Sequence, residues 1–435
     1  MATIVFFPEG AFGPTNNCVG IGNVLRERGH RVVFVVEESF AGTLEARGFE
    51  EAHVRLAPPP ERPEAPGQFW KDFIRDTAPE FRKPTIEQLE TFLRPTWQAL
   101  IDGARYVDDR LAEVLDELRP DAVVEDNVVG FPAIVRSGRP WARIVSCNPL
   151  EVKDPALPPV FSGYPARDPS GWAEFWARYD EVLGPQISEL DAWVRERGAP
   201  GLPERDYIWE SPYLNLFLYP EAVDYERAHP LGHTWHRLGS CVRAGEEPFD
   251  IAERLSGEGA VVYLSLGSLG SADVELMQRL VGALAATQHR VVVSKGPQHE
   301  LIELGERMVG AEFLPQPSIL PQVDIVVTHG GNNTITEALH FGKPTVVLPL
   351  FWDQYDNAQR MHELGLGVRL DTYRFEPEEL TGAIERLLED DVLRERLAAI
   401  AAGLQATPGT RRAADLIERL ALTGAPVVRT GAGAA

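Results

Sequence analysis

Residues 313–354 read FLPQPSILPQVDIVVTHGGNNTITEALHFGKPTVVLPLFWDQ, and their reading decides the fold. At the centre lies a short apolar run, residues 323–327, interrupted only by Asp324. Such a run predicts a strand buried on both faces, the environment of a parallel sheet. Thr328, His329, Gly330, Gly331, Asn332 and Asn333 follow, and a helical pattern opens at about Thr334. A strand that feeds a Gly-rich turn and then a helix makes an anion site. The first N–H groups of the helix lack internal partners, and its macrodipole places partial positive charge at the same end. The glycines let a phosphate approach the backbone, and His329 is a further donor.

Working outward, strands and helices alternate on both sides of this stretch. Near the start, a strand over 3–7, a loop, a helix over 18–28 and a strand over 31–36 predict a βαβ unit. Gly20 and Gly22 fall inside that helix, without the GxGxxG spacing directly after a strand that binds dinucleotides. A Pro-rich loop over 58–67 precedes a long, mostly helical stretch over 69–118. Strands are expected at 121–125, 141–146 and 214–219, with a Pro-rich excursion over a cleft at 149–171 and two helices, 173–183 and 186–196. The second half repeats the pattern. A strand ending on Gly267-Ser268 is followed by helix 273–287, strand 290–293, helix 300–306, the central strand, helix 334–341, strand 345–348 and helix 353–364. Helices over 376–389, 392–404 and 410–422 close the chain. The pattern predicts an α/β protein of two doubly wound parallel-sheet domains. The expected division is 1–240, a linker at 241–256, 257–409, a C-terminal helix at 410–425 packing back on the N-terminal domain, and a disordered tail at 426–435.

At 435 residues the chain is too long for a single core. A net charge of −23 argues against nucleic acid or an anionic membrane as partner, while leaving room for a phosphorylated ligand at a helix N-terminus. Three scattered cysteines, Cys18, Cys147 and Cys241, lack metal-binding spacing and suggest a reducing compartment. The N-terminal MATIVFFPEGAF lacks a basic n-region, and no run of about 18 apolar residues exists. A soluble, cytoplasmic protein is expected, with no stable membrane insertion and an oligomeric state left open.

The ordered set Leu266-Gly267-Ser268, Phe313-x-Pro315-Gln316, His329-Gly-Gly-x-Asn333-Thr334-x-x-Glu337, Gly342-x-Pro344, Pro349 and Asp353-Gln354 resembles the nucleotide-sugar-binding domain of the GT-B, two-Rossmann-domain inverting glycosyltransferases of family 1. The likeness is to the UDP-glycosyltransferase and macrolide glycosyltransferase group, and Arg28-Gly29-His30-Arg31-Val32 fits it too. The resemblance implies that backbone amides over Gly331, Asn332, Asn333 and Thr334, helped by His329 and Ser268, stabilise the diphosphate leaving group. It implies that Glu337 accepts ribose hydroxyls and that Gln316 lies near base or ribose. Phe313 would stack on the base, and Asp353 and Gln354 would bind sugar hydroxyls beside Trp352. The residues also admit plainer roles. His329 would cap neighbouring backbone, Thr334 and Glu337 would form a capping box, and Gln316 would be a solvated loop residue. Asp353 would be a helix N-cap, Phe313 a core aromatic, and Trp352 would pack at the domain interface. No metal or cofactor is expected; the co-substrate is a nucleoside-diphosphate sugar, UDP-glucose favoured and dTDP-sugars open.

The chain departs from the family at the catalytic base. The family histidine of the first βα loop aligns with Pro14, within Gly13-Pro14-Thr15-Asn16-Asn17, and no histidine precedes His30. The family's orienting aspartate matches Asp126. Asp126 or Glu9, with a pKa raised by burial, would then serve as general base, unless the acceptor needs none or the protein only binds nucleotide sugar. Acceptor-side candidates are Asn16, Asn17, Trp70, Lys71, Arg75 and Asn127; Trp70, Lys71 and Arg75 belong to a basic and aromatic block that otherwise reads as a solvated, ion-paired helix face. Lys153 could join that block, and Trp97, Trp172, Phe175 and Trp176 are either acceptor-pocket or core aromatics. The expected function is transfer of a hexose to a small-molecule acceptor. The alternatives are a non-catalytic auxiliary protein that binds nucleotide sugar, or a sugar-nucleotide epimerase or hydrolase on the same fold.

Overall fold

A computed structural model describes residues 1–10, 12–59, 72 and 75–429. The N-terminal sheet is built from β1 (Thr3–Pro8), β2 (Arg31–Glu37), β3 (Glu50–Val54), β4 (Ala122–Asp126), β5 (Trp141–Val145), β6 (Leu214–Phe217) and β7 (Trp235–Arg237). Its order is β3-β2-β1-β4-β5-β6-β7, parallel throughout. The second sheet contains β8 (Val261–Ser265), β9 (Arg290–Ser294), β10 (Met308–Ala311), β11 (Ile325–Thr328), β12 (Thr345–Val347) and β13 (Gly367–Arg369), in the order β10-β9-β8-β11-β12-β13, again all parallel. Helices cover both faces, so the central strands β1, β4, β8 and β11 are buried along almost their whole length. The expected pair of doubly wound sheets is the fold.

Several expected elements differ, each for a local reason. The loop after β1 is short, because the first helix already begins at Phe12 and runs to Glu27. Pro14 sits in its first turn, where a missing N–H costs nothing. The helices expected on either side of residue 185 are one helix, Trp172–Glu196, with Pro185 inside it. The helix expected at 300–306 is only the turn His299–Leu301, followed by β10. Strands β3, β7, β10 and β13 escape the sequence pattern: all are short, and β3, β7, β10 and β13 are the edges, which tolerate polar residues and glycine. The Pro-rich loop at 58–67 falls largely on residues outside those described.

The last helix, Gly409–Thr423, returns to the first sheet. Ala413, Ala414, Ile417 and Leu420 share a core with Ile4, Phe6 and Cys18. Gly409 is required at its start, since a Cβ there would lie 2.3 Å from the Ser240 carbonyl oxygen. Arg28 pairs with Asp415 (2.6 Å) and Glu418 (2.8 Å), and His30 Nε2 meets Glu418 at 2.8 Å. The Arg-Gly-His stretch thus anchors the chain's end. Part of the tail expected to be disordered is ordered: Val427 is buried, and its N–H donates to the Tyr213 carbonyl (2.8 Å). Residues 430–435 lie outside those described. Among the described residues no helix is long and apolar enough to cross a membrane.

Candidate active site

In each sheet the strand order reverses between two central strands, β1 and β4 in the first, β8 and β11 in the second. Ligands of open α/β sheets bind beyond the carboxyl ends at such points. Glu9 follows β1 and Asp126 ends β4; Gly267 follows β8 and His329 follows β11. Glu9, Gly267 and His329 line one cavity of about 710 Å³ between the two sheets.

On the side of the second sheet, the helix Asn332–His340 has Gly331 as its N-cap and no side-chain cap. Ile335 is the first residue whose N–H bonds back, to the Gly331 carbonyl (3.1 Å), so the amides of Asn332, Asn333 and Thr334 precede the ladder and lie at the cavity wall. The capping box from Thr334 to Glu337 does not form, because the helix starts earlier than the pattern suggested and Thr334 is already within its first turn. The His329 ring packs between two glycines: a Cβ on Gly267 would sit 2.7 Å from it, and one on Gly331 2.6 Å from Nε2. Gly267 also has φ +72°, which only glycine adopts freely. Burial pushes the His329 pKa down to about 4, against a hydrogen bond to the Ser265 backbone. The imidazole is therefore neutral near pH 7. Ser268 lies on the same wall.

Glu337 is buried, and its carboxylate faces the cavity between two donors. Gln316 Nε2 donates to Oε2 at 2.6 Å, and Arg243 Nη1 stands 3.3 Å from Oε1. Gln316 is therefore not a solvated loop residue. Phe313 is 48 % exposed on the cavity wall, which rules out a core role. Asp353 makes no capping bond; its Oδ2 accepts from the Asn148 N–H of the first domain (2.8 Å). The Gln354 side-chain oxygen accepts from the Leu350 (3.0 Å) and Phe351 (3.3 Å) amides, fixing the turn before its helix. Trp352, at φ +58°, packs against Trp97 (5.0 Å) and Phe161 (4.9 Å), so it closes the interface and lines the cavity at once. Asn333 and Asn332 are also cross-domain ties. Asn17 Nδ2 donates to Asn333 Oδ1 (3.0 Å), Asn333 Nδ2 to the Gly13 carbonyl (2.9 Å), and Asn332 Nδ2 to the Leu218 carbonyl (3.1 Å).

Across the cavity, Glu9 and Asp126 are neighbours. Pro8 and Asp126 are register partners, and the Glu9 N–H donates to the Asp126 carbonyl at 2.9 Å. Burial, then the charge of Glu151, pushes the Glu9 pKa up to about 7. Burial raises Asp126 to about 7 as well, against a hydrogen bond from Ser146 Oγ to Oδ1 (2.7 Å). Its other oxygen is buried without a partner. Glu9 reaches the cavity, whereas Asp126 stands behind it.

The remaining acceptor-side candidates separate. Asn16 and Pro14 line the cavity, while Asn17 belongs to the clasp with Asn333. Asn127 Nδ2 donates to the Phe7 carbonyl (2.7 Å), a backbone role. Arg75 pairs with Asp72 (2.7 Å) and Asp76 (3.0 Å) on the surface, away from the cavity. Lys153 pairs with Asp206, and Trp97 stacks on Tyr207 in the core. Phe175 is fully buried, and Trp172 and Trp176 are not on the cavity wall. Trp70 and Lys71 lie outside the described residues. Sequence reasoning missed Arg243 and an apolar lobe formed by Phe92, Leu100, Val128 and Phe351. Only the clustering of chain segments distant in sequence reveals that lobe. Among the described residues no group of three His, Cys, Asp or Glu side chains is placed to hold a metal ion.

Two facing parallel sheets with their switch points opposed across one cavity make the GT-B architecture. A solved glycosyltransferase of kitacinnamycin shares it over 96% of this chain and 98% of its own, with a TM-score of 0.66 and 25% identity. Residues 217–403 match the family described as UDP-glucoronosyl and UDP-glucosyl transferase. The oleandomycin glycosyltransferase of Streptomyces antibioticus is 29% identical over 427 residues, covering 96% of this chain and 90% of that one. The zeaxanthin glucosyltransferase of Pseudescherichia vulneris is 29% identical over 324 residues, 71% and 76% of the two chains. The protein is a glycosyltransferase that works with a nucleotide sugar. Its fold and its second half are similar to those of the GT-B glycosyltransferases of family 1.

Proposed function

We propose that the protein transfers a hexose, with inversion and without a metal, from a UDP- or dTDP-sugar to a small-molecule acceptor hydroxyl, glucose being the favoured sugar. The uncapped helix N-terminus at Asn332 carries this reading. Its free amides, with Ser268, oppose the charge that grows on the departing diphosphate. Glu337 takes the ribose, Phe313 the base, and Asp353 with Gln354 the sugar hydroxyls. Asp353 has one oxygen engaged by Asn148 and the other left for a hydroxyl. His329 is uncharged at neutral pH and contributes a dipole; a bound diphosphate would favour its protonation.

Glu9 is the general base in this scheme. It faces the cavity, and a pKa near 7 suits proton removal at neutral pH. Asp126 stands beside it, and after burial the charge of Glu9 helps to raise the Asp126 pKa. The attacking oxygen loses its proton to Glu9 as it bonds the anomeric carbon, and the bond to the diphosphate breaks. The apolar lobe suits an acceptor with ring or chain surface to bury, in keeping with relatives named for oleandomycin and zeaxanthin. Activity assays of Glu9→Gln and Asp126→Asn in buffer with a chelator test the scheme. Unchanged rates in both variants would remove the carboxylates from the chemistry, and a rate abolished by the chelator would remove metal independence. A product with the donor's anomeric configuration would remove inversion.

A further inference from the structure

The segment that joins the two sheets does more than connect them. Arg243, on that segment, lies against the first helix at Gly20, where a Cβ would come within 3.3 Å of the Arg243 Cβ and 3.1 Å of Thr410 Cγ2. Gly20, part of the glycine pair with no nucleotide-binding spacing, is thus the position that lets the segment pack closely. From there the guanidinium reaches Glu337 across 94 residues of sequence, and its Nε is held by Glu246. The Arg243 side chain is 12% exposed and that of Glu337 5%, so the pair is largely desolvated. Gln316 holds one carboxylate oxygen and Arg243 the other. Each oxygen keeps a second acceptor position, which leaves a carboxylate able to accept two vicinal hydroxyls.

We propose that Arg243 is a positioning residue for the donor: it keeps the Glu337 carboxylate ionised and turned to the cavity, so that ribose binding depends on where the inter-sheet segment sits. The proposal rests on the reading of Glu337 as the ribose ligand. The surroundings of Glu337 make a cation necessary. Burial raises its pKa, Glu246 adds like charge, and only Arg243 and the Gln316 amide oppose them. Tyr263 of β8 is neutral there, its hydroxyl pKa pushed up to about 12 by burial. Glu247 lines the same cavity, and His340 of the same helix bonds Ser240 instead (2.9 Å). Without Arg243 the carboxyl pKa would rise further, so it would hold its proton to higher pH and lose acceptor capacity.

Calorimetric titration of UDP into wild type, Arg243→Gln, Arg243→Lys and Glu337→Gln at pH 6, 7.5 and 9 tests this. Arg243→Gln is expected to bind UDP more weakly than wild type, with the loss largest at pH 6 and mostly recovered at pH 9. Arg243→Lys should stay within about threefold of wild type throughout. A loss in Arg243→Gln that is equal at all three pH values, or no loss, overturns the proposal. Glu337→Gln should weaken UDP at every pH. If it does not, the ribose reading fails, and that failure is separable from failure of Arg243 alone.

Discussion

At the residue scale, chemistry concentrates on carboxyls displaced from their ordinary ionisation by burial. With Glu9 near pKa 7 and required as its anion, kcat/KM should rise about tenfold per pH unit below pH 7 and level off above it. A profile flat from pH 5 to 9 would contradict the role. Glu9→Gln should cost about a hundredfold or more in kcat with little change in donor KM. Gly331→Ala should abolish donor binding while the fold survives, because its methyl would collide with His329 at 2.6 Å, at the wall proposed to hold the diphosphate. Nucleotide binding retained in that variant, read by thermal shift, would show that the wall can yield. Much of this candidate site was legible because most of its members fall within residues 313–354. Ser268, His329, Glu337 and Asp353 follow strand ends, where residue type and spacing already state the chemistry. Arg243 was not, since nothing local links it to Glu337.

Among the elements, the apolar strands announced themselves and the edges did not. β4 is AVVED, with every residue buried, whereas β3 is EEAHV at an edge and β10 is MVGA. Helix starts were the least visible feature. The first helix opens at Phe12 with a proline in its first turn, and the helix at Asn332 opens without a side-chain cap, which leaves its first amides for the proposed anion. The last helix is a part of the first domain's core, not an appendage. Ile417→Ala, at a fully buried position, should destabilise the protein by about 2–5 kcal/mol in denaturant titration. A cost below about 0.5 kcal/mol, the range of surface changes, would mean that the helix is not packed as described.

Across the whole molecule, buried carboxyls hold the two domains together. Asp356 of the second domain accepts from the Phe161 (2.6 Å) and Gly163 (2.8 Å) amides of the first, in the Pro-rich excursion, and Asp353 accepts from Asn148. That excursion, expected to lie over the cleft, packs on the helix Gln354–Glu363, and none of its residues lines the cavity. Burial raises Glu9, Asp126 and Asp353 to about 7 and Glu125 and Asp356 to about 8. Folded values above unfolded ones mean that the native state binds more protons. The associated stability is fully present below the unfolded carboxylate pKa, near 4, and is lost as pH rises through 7 to 8. The melting temperature should fall by several degrees from pH 6 to pH 9; a rise over that range would contradict it.

A crystal structure of the protein with UDP provides the most direct measurement. The β-phosphate should lie within hydrogen-bonding distance, about 3 Å, of the Asn332–Thr334 amides and Ser268, with the ribose hydroxyls on Glu337. A nucleotide bound elsewhere, with that helix N-terminus closed by its own side chains, would contradict the site described here.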